Sequence, residues 1–117
     1  MAVERKKLHQ TDFRDVVHED EERDRPIPPG EILYEEFMGP LGLSATALAR
    51  ELHVPANRVT ALVNGQRGLT ADTALRLARY FGTSAEFWIR LQAEYELRQA
   101  RRTVAKEIER EVSPRVA

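Results

Sequence analysis

Asn57, Arg58, Thr60, Asn64, Gln66 and Arg67 crowd into eleven residues, and no acid falls between Glu51 and Asp72. Every one of these side chains can donate to a phosphate oxygen or pair with a base edge. An arginine reads guanine through O6 and N7, an asparagine reads adenine, and a threonine meets a thymine methyl or a backbone oxygen. Asn57, Arg58 and Thr60 are therefore the candidate base readers. Ser44, Thr46, Asn64, Gln66 and Arg67 are expected on phosphates, where short polar side chains and helix N-termini set the register. The surface of a soluble helix ordinarily mixes both charge signs, so a stretch free of acids implies a polyanionic partner, namely duplex DNA.

Such residues work only if a helix pair presents them at a fixed angle. The crossing needs a small residue on the first helix and inward apolar residues on the second. Ala49 is the small residue, Val54 sits in the turn, and Val59 and Leu62 follow ten and thirteen residues after Ala49. Leu48 and Leu52 complete the seam. Spacing of this kind also occurs in helical proteins that never meet DNA, so the polar face carries more of the argument than the seam.

Helix punctuation repeats along the chain. A first helix is expected over Gly30 to Phe37, ending before Gly39-Pro40. Ser44 caps a second through Leu52. Pro55 opens a third, where its missing N–H costs nothing, and Asn64-Gly65 closes it. Thr70 caps a fourth, with Ala71, Ala74, Leu75, Leu77 and Ala78 turned inward, and Gly82 ends it. Ser84 caps a fifth carrying Phe87, Trp88, Leu91 and Tyr95, with Trp88 read as core. Beyond it Leu97, Ala100, Val104, Ile108 and Val112 trace a thin apolar stripe that suits a helix laid on another helix. The fold class is all-α: five helices with an extended C-terminal helix. Three parts follow: a charged N-terminal arm over residues 1–25, expected to be flexible, a globular domain over 26–98, and a helical extension and tail over 99–117.

Composition narrows the alternatives. The chain has 117 residues, 42% hydrophobic and 32% charged, the balance of one soluble domain. It has no cysteine, and its histidines His9, His18 and His53 share no ligand spacing, so neither metal nor cofactor is expected. The charged N-terminus does not read as a signal peptide, and no apolar run approaches the roughly 20 residues of a membrane helix. The expected location is the cytoplasm. Net charge is −1, but Ser44 to Gly82 holds five arginines against two acids while the first 25 residues carry eight acids against six bases. Distribution matters here more than the sum. With no cysteine, no Gly-rich phosphate loop, no His–carboxylate spacing and no paired acids in an apolar setting, an enzyme is not expected.

The run Leu48-Ala49-Arg50-Glu51-Leu52-His53-Val54-Pro55 through Val59, with Asn64-Gly65-Gln66-Arg67, resembles the Cro/repressor-like (XRE) helix-turn-helix family. The stretch Leu69 to Ser84, then Phe87-Trp88 and Leu91-Gln92, together with Pro28-Pro29-Gly30-Glu31-Ile32-Leu33, is similar to HigA-type antitoxins. The resemblance covers about residues 26 to 98. It implies a DNA-binding antitoxin that represses its own toxin–antitoxin operon and neutralises a small basic toxin, a RelE-type ribonuclease. One recognition helix offers little contact area, so a homodimer on a palindromic operator is the expected assembly, with the fifth helix and its extension, residues 84–112, as the dimer surface. The acidic run Glu19 to Glu22 and Glu31, Glu35 and Glu36 are the candidate toxin-facing acids. A stand-alone XRE-type regulator without a toxin is the alternative. Two departures are visible. His53 stands where the wider class has glycine in a left-handed turn. Pro55-Ala56 replaces a polar pair near the bases, which shifts expected readout to Asn57, Arg58 and Thr60. Arg50, Arg76 and Arg79 are expected to be solvated or paired.

Overall fold

Each predicted N-cap closes its own first turn. Ser44 Oγ accepts from Ala47 N at 3.1 Å, Thr70 Oγ1 from Thr73 N at 3.4 Å, and Ser84 Oγ from Phe87 N at 3.0 Å. These bonds satisfy amide donors that the helix itself cannot reach. A computed structural model describes residues 25–116 of the chain. Helix α1 covers residues 29–41 in three contiguous pieces: α-helical over Pro29–Ile32, π-helical over Leu33–Met38, and α-helical again over Gly39–Leu41. Then follow α2 (Ala45–Leu52), α3 (Ala56–Val63), α4 (Ala71–Phe81), α5 (Ala85–Thr103) and α6 (Ala105–Glu111). Among the described residues there is no strand. The N-terminal arm over residues 1–24 lies outside them.

The first helix departs from expectation. It does not stop before Gly39-Pro40 but runs through it, and Gly39 N–H bonds to the Tyr34 carbonyl in a five-residue step. The wider turn brings residues five apart nearer to the same face than an α-helix would. Leu33 and Met38 are accordingly both sealed in the core, with 0% and 1% exposure. The helix then closes at Gly42, in the left-handed conformation, with Leu43 N bonded to Met38 O at 2.9 Å.

Leu48, Ala49, Leu52, Val59, Leu62, Leu69, Ala74 and Leu77 join Leu33, Met38 and Trp88 in one core. The Phe37 ring packs on it, with centroids 4.9 Å from Trp88 and 5.0 Å from Phe81. Trp88 is fully buried and its indole N–H donates to Thr83 Oγ1 at 2.7 Å. Leu75 reverses its expected direction and is 63% exposed, because α4 buries the face of Thr73, Ala74 and Leu77 instead. Ala71, also expected inward, is exposed. The expected C-terminal extension is present but broken at Val104, where φ is −123° and ψ −1°. Just before the break, Thr103 Oγ1 donates back to the Gln99 carbonyl at 2.9 Å, a side-chain bond that tends to bend helices.

Candidate nucleic-acid interface

Helices α2 and α3 meet through the turn His53-Val54-Pro55. His53 has φ 60° and ψ 46°, and it is the only non-glycine residue with positive φ among the described residues. Two bonds lock this turn: Val54 N to Ala49 O at 3.0 Å and His53 N to Arg50 O at 3.2 Å. They form the six-residue closure that ordinarily takes glycine at its left-handed position. Ala49 is 2% exposed, and Val59 and Leu62 are 1% and 3% exposed, so the three seam positions are buried as their spacing requires. Gly30 of α1 presses against the far side of α3, and a side chain there would overlap the Leu62 carbonyl.

That packing leaves one face of α3 open. Asn57, Thr60 and Asn64 are all exposed, and their spacing of three and four residues puts them in one row. Thr60 Oγ1 donates to the Ala56 carbonyl at 3.1 Å, which leaves its oxygen as an acceptor. After the helix, Gly65 turns left-handed and Gln66 N reaches Ala61 O at 2.8 Å. Gln66 and Arg67 follow in an exposed loop. That loop is tethered at its end, where Leu69 N donates to Gln92 Oε1 of α5 at 2.8 Å. In the sequence Gln92 stands out only within the family resemblance. Its tethering role spans 23 residues of sequence and carries no local signature.

Arg58 is not in that row. It stands at its flank, half-buried, with Nη1 donating to Asp72 Oδ1 at 2.9 Å. The stretch that is free of acids along the sequence is thus not free of them in space, because the first turn of α4 brings Asp72 beside it. Arg76 completes the cluster. Its Nε donates to the same Asp72 oxygen at 2.7 Å, and its Nη1 to the Leu52 carbonyl at 2.8 Å. The Arg76 and Arg58 guanidiniums, in that order, hold the Asp72 carboxyl below its ordinary pKa. Arg76 is paired, as expected, while Arg50 and Arg79 are exposed.

Ser44 and Thr46 are exposed on another helix, at the start of α2, and the Ser44 hydroxyl is engaged in its cap. Of the acids expected to face a basic partner, Glu31 is held by both terminal nitrogens of Arg25 at 3.1 and 3.0 Å, and Glu36 is exposed. The run Glu19 to Glu22 lies outside the described residues. Among the described residues no group of acids or histidines could hold a metal, and no helix is long and apolar enough to cross a membrane.

Comparison with known proteins agrees with this arrangement. The "Helix-turn-helix" family model matches residues 35–88. Virulence-associated protein I of Dichelobacter nodosus is 57% identical over 74 residues, covering 63% of this chain and 68% of that one. Antitoxin HigA-1 of Vibrio cholerae is 39% identical over 83 residues, 71% of this chain and 78% of that one. The solved structure of Pseudomonas aeruginosa antitoxin HigA with the higBA promoter is 51% identical, with a TM-score of 0.76, over 79% of this chain and all of that one. A relative at this identity and coverage, sharing the α2–turn–α3 unit, shows that the chain belongs to the HigA antitoxin family of XRE-type helix-turn-helix proteins.

Proposed function

We propose that this protein is a DNA-binding antitoxin that represses its own operon, docking α3 in the major groove. The observation that carries the reading is the exposed row of Asn57, Thr60 and Asn64, continued by Gln66 and Arg67. A relative of 51% identity solved with promoter DNA supports it. In this reading Asn57 and Thr60 contact base edges, and Arg58 reaches a base from the flank. Ser44, Thr46, Asn64, Gln66 and Arg67 hold phosphates. Residues 26–98 form the DNA-binding unit.

A single recognition helix offers little contact area, so the bound form is a homodimer on a palindromic operator, with half-sites about one helical turn apart. Leu97, Ile108 and Val112, each at least half exposed along α5 and α6, supply the apolar surface between copies. The second task is neutralisation of a small basic toxin of the RelE ribonuclease type. Exposed Glu36 and the acidic run Glu19 to Glu22 are the surfaces whose charge suits it.

Two measurements test the proposal. DNA taken from upstream of the gene should shift with the purified protein at low salt and be released as salt rises. Tagged protein drawn from its host should bring down a basic protein of about a hundred residues, the size of one small domain. DNA binding without that companion would favour a stand-alone regulator. No binding to upstream DNA at any salt concentration would refute the reading.

A further inference from the structure

We propose that Asp72 is a positioning residue for Arg58, setting the pose in which this arginine meets a base pair. The inference rests on the reading above that Arg58 touches DNA. Its ground is a continuous chain of contacts from buried backbone to the flank of the recognition helix. The Leu52 carbonyl, on a residue only 4% exposed, accepts from Arg76 Nη1 at 2.8 Å. Arg76 Nε fixes Asp72 Oδ1 at 2.7 Å, and that same oxygen accepts from Arg58 Nη1 at 2.9 Å. Each link therefore holds the next, and the first is set by the end of α2.

A carboxylate beside a DNA-binding helix weakens attraction to every phosphate nearby, whatever the sequence. A helix N-terminus favours an acid, which accounts for Asp72 at the start of α4 but not for its engagement with Arg58. Arg58 carries five N–H donors and gives Asp72 a bond from Nη1 alone, so the Nε and Nη2 edge keeps the paired donors that guanine requires. An untethered arginine would sample many rotamers and settle on whichever phosphate came within reach. Asp72 restricts that search and lowers the reward for backbone contact. Selectivity is thus gained at the expense of raw affinity, since discrimination is a difference between two affinities.

The test uses the full chain, a duplex selected from a random library against the wild-type protein, and an unselected duplex of equal length. Exposed ion pairs contribute little to folding, so Asp72→Asn should melt near the wild type. It should bind the unselected duplex more tightly, while the ratio of selected to unselected affinity falls about tenfold, the worth of one well-placed base contact. Arg58→Ala should lower the ratio to a similar degree, and adding Asp72→Asn to it should lower the ratio no further. A purely structural role for Asp72 would move the melting temperature and leave the ratio alone. An Asp72→Asn ratio equal to or above the wild type overturns the proposal while leaving Arg58 as a base contact. If Arg58→Ala itself keeps the wild-type ratio, the reading of Arg58 fails and this inference with it.

Discussion

Gly30 lies so close to Leu62 that a Cβ placed on the glycine would overlap the leucine carbonyl oxygen and sit 2.9 Å from Val63 Cα. The atoms in the way are backbone of α3, so no rotamer change relieves the clash. Gly30→Ala should therefore push α1 off α3 and cost about 3 kcal/mol, the upper end for overpacking. Urea denaturation reads this as a lowered midpoint. Gly68→Ala is the control: its Cβ would meet only the far end of the Gln92 side chain, at 3.2 Å, and should cost far less. Equal losses for the two variants would refute the argument.

His53 occupies a left-handed turn that favours glycine. An L-residue there carries strain of about 1–2 kcal/mol. Glycine relieves it but loosens the unfolded chain by roughly 0.4–1 kcal/mol. The net expectation for His53→Gly is a gain of about 0.5 kcal/mol, visible as a small rise in melting temperature. A lower melting temperature would mean that the imidazole contributes contacts beyond the turn.

Arg67 stands exposed in the loop after α3. As a phosphate contact, Arg67→Ala should weaken binding to all duplexes alike and reduce the slope of log K against log salt by about one. A loss confined to one sequence would instead make it a base reader.

Asp72 ties folding to acidity. Its pKa is lowered in the folded state, chiefly by Arg76 and then by Arg58, from an ordinary value of 3.8. The folded state thus holds the proton less tightly than the unfolded chain. The resulting stability is fully present above pH 3.8 and is lost as pH falls through the depressed value. The difference between wild type and Asp72→Asn, small because the pair is exposed, should be constant from neutral pH down to about that point and then vanish. A difference that changes between pH 5 and 7 would assign the effect to another group.

Leu97 and Ile108 are 51% and 50% exposed, so charging them leaves the core intact. If they form the proposed surface between copies, the double change Leu97→Glu and Ile108→Glu should give a folded monomer by light scattering, with weakened binding to a two-half-site duplex. A dimer that survives the change would place the interface elsewhere.

Most of the helix framework is legible in the sequence, because caps and closing turns act between neighbours. Ser44, Thr70 and Ser84 declare their helices through a hydroxyl three residues from its amide partner. The burial of Ala49, Val59 and Leu62 follows from spacing alone. Three features are not legible in this way. The π turn over Leu33–Met38 carries the helix through the stop expected at Gly39-Pro40, and Leu33 and Met38 are both buried within it. Leu75 looks apolar and inward by type, yet the direction of α4 is set by what packs on it. Asp72 reaches Arg58 across fourteen residues, a distance at which only the fold decides who meets whom.

Trp88 has a consequence for the spectroscopist. It is the sole tryptophan of the chain, fully enclosed, and its one polar atom is satisfied by Thr83. Its fluorescence is therefore a core reporter with no background from another indole and no path to bound DNA. Emission should stay put through a DNA titration and move only when the helices part. One cuvette can then follow unfolding while a label on the duplex follows binding, so a variant that loses DNA by unfolding is told apart from one that loses it by chemistry.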